Sequence, residues 1–150
     1  MDVPLPTRLF SLREANALVT TLNEEFTKAR KLRDELMGVQ EKLQAEGRGI
    51  EGPGVEVDHD APAAIQRLQG EAVRIIDELR AILTQVAELG VEVKAADGLV
   101  DFRSKLHGRT VYLCWRFGED RIGHFHELDS GFAGRRPLPD DGDFTGDFLQ

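Results

Sequence analysis

This sequence of 150 residues lacks disulfide-forming cysteine pairs, long apolar runs and an excess of basic side chains. Its single cysteine, Cys114, excludes an internal disulfide and is typical of a reducing compartment. Because neither a signal-peptide pattern nor a membrane-spanning run is present, we expect a cytoplasmic protein with no membrane partner. The formal net charge of -8 opposes binding to phosphate backbones, so we expect no nucleic-acid partner.

Two apolar seams with helical spacing occupy the chain as far as Gly90. Ser11 and Glu14 form a capping-box pattern, which predicts a helix that begins there and ends near Gly47. Seam residues recur every three or four positions, with Phe26 in place of the polar Glu25 at the one interruption. They are Ala15, Leu18, Leu22, Ala29, Leu32, Leu36, Val39 and Leu43, then Ile65, Leu68, Ala72, Ile75, Leu79, Ile82, Val86 and Leu89. The pattern predicts a long antiparallel helical hairpin over about 11–90, packed like a coiled coil.

Beyond Gly90 the apolar period changes from helical to alternating, which predicts a small, mainly antiparallel β-sheet over about 91–127. The expected strands are Val91–Lys94, Leu99–Phe102, Thr110–Phe117 and Ile122–Glu127. The hairpin and sheet together predict an α+β fold and one domain over 1–137. The segment 138–150 has four aspartates with one proline and two glycines among them, and we expect it to be an acidic, mobile tail.

The lengths of the two predicted parts favour self-association. At about 1.5 Å per residue the first helix would be roughly 50 Å long, whereas a strand of eight residues spans about 27 Å. The sheet would therefore leave apolar flanks of the hairpin exposed. We predict a homodimer in which two hairpins form a four-helix bundle.

Strand alternation separates the side chains of the predicted sheet into two sets. The apolar set, expected to pack against the second helix, is Val100, Phe102, Val111, Leu113, Trp115, Phe117 and Phe125. The polar set is Asp101, Tyr112, Cys114, Arg116, His124 and His126. If Trp115 pairs with Phe125, then Cys114 lies opposite His126 and the polar set forms one cluster, which a slip of one residue would disperse.

Two kinds of chemistry fit the centre of this polar set. Asp101, His124 and His126 offer a carboxylate and two imidazoles, a set used for zinc or non-haem iron. Cys114 with His126 and Asp101 has the residue types of a thiol nucleophile, its base and an orienting acid. The alternatives are two solvent-facing histidines and a small cysteine that fills the core.

A third hypothesis is a site for a small anionic ligand. Arg116, Arg135 and Arg136 could bind a carboxylate or phosphate bidentately, close to flexible glycines at positions 131 and 134. The alternative is an internal salt bridge from Arg116 to Asp101 or Glu119, because a partly covered cation usually has a partner in its own chain.

Several strings resemble the bacterial domain-of-unknown-function 2203 family: 10–16, 98–102, 111–119, 126–127 and 131–138. The resemblance extends over nearly the whole chain and implies no established activity, substrate or cofactor. It places in the family pattern Asp101, Cys114, Trp115, Arg116, Glu119, His126 and Arg135. His124 lies outside that pattern, and Phe125 stands where a tryptophan is expected, so the resemblance favours a polar network in the sheet at least as much as a metal site.

From these observations we expect a non-enzymatic, self-associating or partner-binding module, and the sequence identifies no cofactor and assigns no enzymatic activity. The alternative is a small-ligand, anion or metal site on the polar face. The ligand-binding candidates are Asp101, Cys114, Arg116, Glu119, His126 and Arg135, and the metal candidates are His124, His126 and Asp101.

Overall fold

The computed structural model of the protein describes residues 8–50 and 54–147, which include three α-helices. These are α1 (Leu12–Ala17), α2 (Val19–Ala45) and α3 (Ala63–Ala87). The predicted capping box is present, since the Glu14 N–H donates to Ser11 Oγ at 3.1 Å and the Ser11 N–H donates to Glu14 Oε1 at 3.0 Å. The first predicted helix is interrupted at Leu18, where the N–H binds the Ala15 carbonyl in a tighter turn. None of these helices is long and apolar enough to cross a lipid bilayer.

By their contacts the described residues form two compact units, 27–82 and the combination of 8–26 with 83–147. In the unit 27–82, α2 and α3 pack through a buried apolar cluster: Val39, Leu43, Ala61, Ile65, Ala72 and Ile75. Four further seam leucines, at positions 32, 36, 68 and 79, pack beside this cluster and are only partly buried. The two seams therefore form the predicted helical hairpin.

The unit that combines 8–26 with 83–147 contains a six-stranded antiparallel sheet. Its strands are β1 (Glu92–Ala95), β2 (Leu99–Leu106), β3 (Arg109–Arg116), β4 (His124–Glu127), β5 (Arg136–Pro137) and β6 (Phe144–Thr145). They lie in the order β1-β2-β3-β4-β5, and β6 pairs with β2. The α+β fold class is confirmed, with two more short strands than the alternation predicts.

The acidic C-terminal segment contacts the sheet unit over residues 144–147, where the sequence predicts a mobile tail. Phe144 is 5% exposed and its ring lies 5.7 Å from that of Phe125. The Leu9 N–H donates to Asp147 Oδ2 at 2.9 Å, and the Asp147 N–H donates to the Leu9 carbonyl at 3.0 Å. The acidic composition of the segment gives no indication of this contact. One buried aromatic side chain and a few backbone hydrogen bonds are enough to hold a short edge strand.

One face of the sheet forms the apolar core that the alternation predicts. Its buried members are Val100, Phe102, Val111, Leu113, Trp115 and Phe125. Phe10 meets Phe102 edge-on with ring centroids 5.2 Å apart, and Phe26 of α2 lies 5.7 Å from Trp115. These aromatic contacts come from the segment around α1 and α2, so the predicted packing against the second helix stays a prediction.

The pairing of β3 with β4 differs by two residues from the register in which Trp115 pairs with Phe125. The observed pairs are Tyr112 with His126, Leu113 with Phe125 and Cys114 with His124. Cys114 therefore does not lie opposite His126. Because side chains alternate with a period of two, a shift of two residues leaves every side chain on its predicted face.

Candidate functional site

The polar face of the sheet brings three different donor groups together near its centre. Asp101 of β2, Cys114 of β3 and His126 of β4 each place one potential ligand atom within 4.8 Å of the other two. Their exposed fractions are 3%, 0% and 2%. Asp101 and Cys114 are direct partners across β2 and β3. We call these three residues the Asp-Cys-His cluster.

The hydrogen bonds of His126 fix which ring nitrogen carries a proton. Nδ1 lies 2.8 Å from the Glu127 carbonyl oxygen, which can only accept, so Nδ1 is the donor. Nε2 lies 3.0 Å from Asp101 Oδ2. A proton must lie between these two atoms, and removing it leaves Nε2 as a lone-pair donor that points into the cluster.

Asp101 is held in surroundings that do not favour its ionised form. Burial raises the pKa of Asp101 above its usual range, although the neighbouring charge of His126 acts in the opposite direction. Its second oxygen, Oδ1, is buried and has no hydrogen-bond partner among the described residues. A buried carboxyl oxygen without a partner is costly, and besides His126 the Cys114 thiol next to Asp101 acts on its pKa through a side-chain hydrogen bond.

The geometry of Cys114 does not support the thiol-nucleophile hypothesis. Both ring nitrogens of His126 are engaged, one by the Glu127 carbonyl and one by Asp101, so neither is aimed at the thiol as a base. Burial, followed by the negative charge of Asp101, raises the pKa of Cys114 to about 11. A thiol with that pKa is protonated near neutral pH and is a poor nucleophile.

Glu119 connects the loop after β3 to the edge of the cluster. Its two carboxylate oxygens accept from the Arg135 guanidinium at 3.3 and 2.9 Å, and Oε1 also accepts from the Arg116 N–H at 2.8 Å. Its carbonyl accepts from the Trp115 indole N–H at 3.0 Å. Burial alone would raise the pKa of Glu119, but the bonds from Arg135 and the Arg116 backbone outweigh it and lower that pKa. Arg135 extends from this ion pair to within 4.0 Å of the Cys114 sulfur.

The three arginines of the anion hypothesis do not form a shared anion site, because two of them are already paired with carboxylates of the chain. Arg135 pairs with Glu119, and Arg136 pairs with Glu127 at 3.2 Å. The exposed Arg116 guanidinium makes no ion pair within the described ranges, so its expected salt bridge to Asp101 or Glu119 is absent.

The structure also changes the composition of the predicted metal set. Asp101 and His126 meet as expected, but Cys114 rather than His124 supplies the third atom within 4.8 Å. His124 lies directly across from Cys114 on β4, and its Nδ1 is buried without a hydrogen-bond partner in the part of the chain that is described.

Sequence reasoning missed a charged group beside the cluster, around Tyr112. Glu92 accepts from Lys94 Nζ at 3.0 Å and from Arg103 Nε at 3.1 Å, and Lys94 lies 5.1 Å from the centre of the Tyr112 ring. Glu92 is also the partner of Asp101 across β1 and β2. Extending the alternation analysis to residues 92–94 would have placed these charges on the polar face.

The donor set of the Asp-Cys-His cluster fits a zinc-type ion. Thiolate, imidazole and carboxylate are the three ligand classes that zinc takes from proteins, at about 2.0–2.3 Å. Donors of one tetrahedral ion lie about 3.3–3.7 Å apart, so a set already within 4.8 Å needs small side-chain adjustments. The hydrogen bond from His126 Nδ1 to a backbone carbonyl is the support that ligating histidines usually have.

Comparison with known proteins yields one family match. The model of a family described as an uncharacterised conserved protein, DUF2203, matches residues 8–138. No curated protein and no solved structure matches the chain. The match covers the helical hairpin, five of the six strands and every residue of the Asp-Cys-His cluster.

Proposed function

We propose that this chain, which belongs to the DUF2203 family of uncharacterised conserved proteins, binds a divalent transition-metal ion through Asp101, Cys114 and His126. The observation that supports the proposal is the convergence of a carboxylate, a thiol and an imidazole within 4.8 Å in a buried site. Zinc is the ion that best suits this mixture of ligands.

One feature favours a metal over an ordinary hydrogen-bonded network. In a network, each buried polar atom should have a partner, whereas Asp101 Oδ1 has none among the described residues. His126 Nε2 and Asp101 Oδ2 share one proton in a hydrogen bond of 3.0 Å, and a bound ion would replace that proton. Binding would release this proton and the Cys114 thiol proton to solvent, so we expect the affinity to fall as the pH falls.

Burial of the ligands favours a structural role for the ion. Asp101, Cys114 and His126 come from three adjacent strands, and their near-complete burial leaves little room for a substrate. An ion held by β2, β3 and β4 would link these strands, and binding to the folded state alone would raise the free energy of unfolding.

The test uses the whole chain without an affinity tag, first treated with a chelator and then dialysed against Zn²⁺ or Co²⁺. We expect one ion per chain by elemental analysis and, with Co²⁺, thiolate charge-transfer absorption. Cys114→Ser should abolish that absorption, and Asp101→Asn should weaken binding. His59→Ala, which changes an exposed loop histidine, is the matched control and should behave like the parent protein. A parent protein that takes up no stoichiometric ion would refute the proposal.

Self-association through the hairpin is a second proposed property. Leu32, Leu36, Leu68 and Leu79 belong to the predicted seams yet are only partly buried within the unit 27–82, and Met37 is 51% exposed. A second copy of the hairpin would offer these side chains a complementary apolar surface. Light scattering at micromolar concentration should then give the mass of a dimer, and a monomer mass would refute this proposal.

A further inference from the structure

Cys114 lies between two potential metal ligands on the polar face, one on each neighbouring strand. Across β2 its direct partner is Asp101, and across β4 its direct partner is His124. His126 lies two residues beyond His124 on the same strand, and therefore on the same face. Direct cross-strand partners have Cβ atoms about 4.5–5.5 Å apart, so the side chain of His124 is attached to the backbone directly beside that of Cys114.

His124 also has an unused donor atom. Its Nδ1 is shielded from solvent and has no hydrogen-bond partner in the residues that the structure describes. An unpaired buried ring nitrogen costs free energy, and coordination of an ion would remove that cost. The other nearby carboxylate, Glu119, is already engaged by Arg135 and by the Arg116 N–H, so His124 is the better source of another ligand.

We infer that His124 is the fourth ligand, which closes the site as a tetrahedral set of one thiolate, two imidazoles and one carboxylate. The inference rests on the metal-binding function proposed above. His124 lies outside the set that is within 4.8 Å, so binding requires its ring to turn about the side-chain torsions while the β3–β4 register stays the same. Four protein ligands are the usual number for a structural zinc ion, whereas catalytic sites keep one position for water.

The experiment compares the Co²⁺-loaded parent chain with His124→Ala. We expect the variant to bind Co²⁺ at least about tenfold more weakly in competition with a chelator, because even a supporting residue of a metal site has an effect of that size. The visible absorption of tetrahedral cobalt should also weaken, and added imidazole should restore it by filling the vacated position. Added imidazole should leave the spectrum of the parent protein unchanged.

Three controls keep the result unambiguous. His59→Ala should match the parent protein in affinity and spectrum, since that histidine is exposed in a loop of the other unit. Circular dichroism should show that His124→Ala is folded, and His124→Gln is a second variant that keeps the size and polarity of the side chain. Both His124 variants should lose the same absorption.

The outcomes separate this inference from the proposed function. Weaker binding that imidazole rescues supports His124 as a ligand. Equal affinity and equal spectra for the parent protein and the His124 variants overturn the inference and leave the three-residue site in place. A parent protein that binds no Co²⁺ overturns both.

Discussion

Both faces of the sheet contain buried residues, but different interactions hold them. On one face Trp115 and Phe102 pack against aromatic rings from the N-terminal segment and α2. On the other face the buried side chains of Asp101 and His126 are joined by a directional hydrogen bond of 3.0 Å. The free energy gained from apolar packing is roughly proportional to the buried area, so the apolar face tolerates small displacements. The stability of the polar face depends on the positions of individual atoms.

This difference bears on why the polar face exists. A carboxyl, a thiol and an imidazole are costly to bury, and apolar residues of similar volume often give equal or greater stability. The apolar face is explained by folding alone. The Asp-Cys-His cluster is not, and the metal ion proposed above would account for it.

The largest expected effect is on the apolar face. Trp115→Ala should lower the free energy of unfolding by about 3–5 kcal/mol, because it leaves a cavity beside Phe26 and removes the indole donor to the Glu119 carbonyl. Urea denaturation measures the loss. It is followed by circular dichroism and not by tryptophan fluorescence, because the variant removes the only tryptophan in the sequence. Trp115→Phe, which keeps most of the volume, should lose much less. Equal losses for the two variants would contradict a packing role.

An intermediate effect is expected at the centre of the polar face when a chelator is present. Asp101→Ala leaves His126 Nε2 buried without its partner, and we expect a loss of about 1–3 kcal/mol in urea denaturation. Asp101→Asn should lose less, because its amide can donate to Nε2. The exposed Asp129→Ala is the matched control and should be nearly neutral. If Asp101→Ala were also neutral, the cluster would contribute nothing to folding.

The smallest effect is expected at the rim of the polar face and depends on pH. Glu119→Gln removes the charge that pairs with Arg135, and at pH 7 we expect a loss of about 0.5–1 kcal/mol. The pKa of Glu119 is lower in the folded chain than its ordinary 4.5, so the charge stabilises the fold above that pH. As the pH falls through the folded pKa, the carboxylate is protonated and the advantage over glutamine is lost. Denaturation curves at several pH values should therefore converge in acid, and a difference that persisted would exclude the charge as its cause.

Local patterns predict much of this fold because each depends on few residues. Ser11 and Glu14 cap α1 as their spacing indicates, and Gly90, where the helical period ends, has a positive φ that suits glycine. The break at Leu18 and the pairing of β6 with β2 were not predicted. The pairing of β6 with β2 is a tertiary contact, which no local period describes.

The sequence predicts which residues form the candidate site better than it predicts how those residues are arranged. Alternation assigns Asp101, Cys114 and His126 to one face for any register that shifts by an even number of residues. The loop 117–123 joins the paired strands β3 and β4, and in it Glu119 accepts from the Trp115 indole N–H and from the Arg135 guanidinium. The Arg135 contact joins residues that are distant in the sequence, so the thiol hypothesis and the Arg116 salt bridge could not be judged beforehand.

The sequence by itself determined two helical seams, a change of period beyond Gly90 and the division of the strands into an apolar and a polar face. These follow from side-chain geometry that repeats along the backbone every 3.6 or 2 residues. The tertiary structure alone decided which polar side chains meet, because contact across strands depends on register and loop conformation. It is at this level that Asp101, Cys114 and His126 become one site.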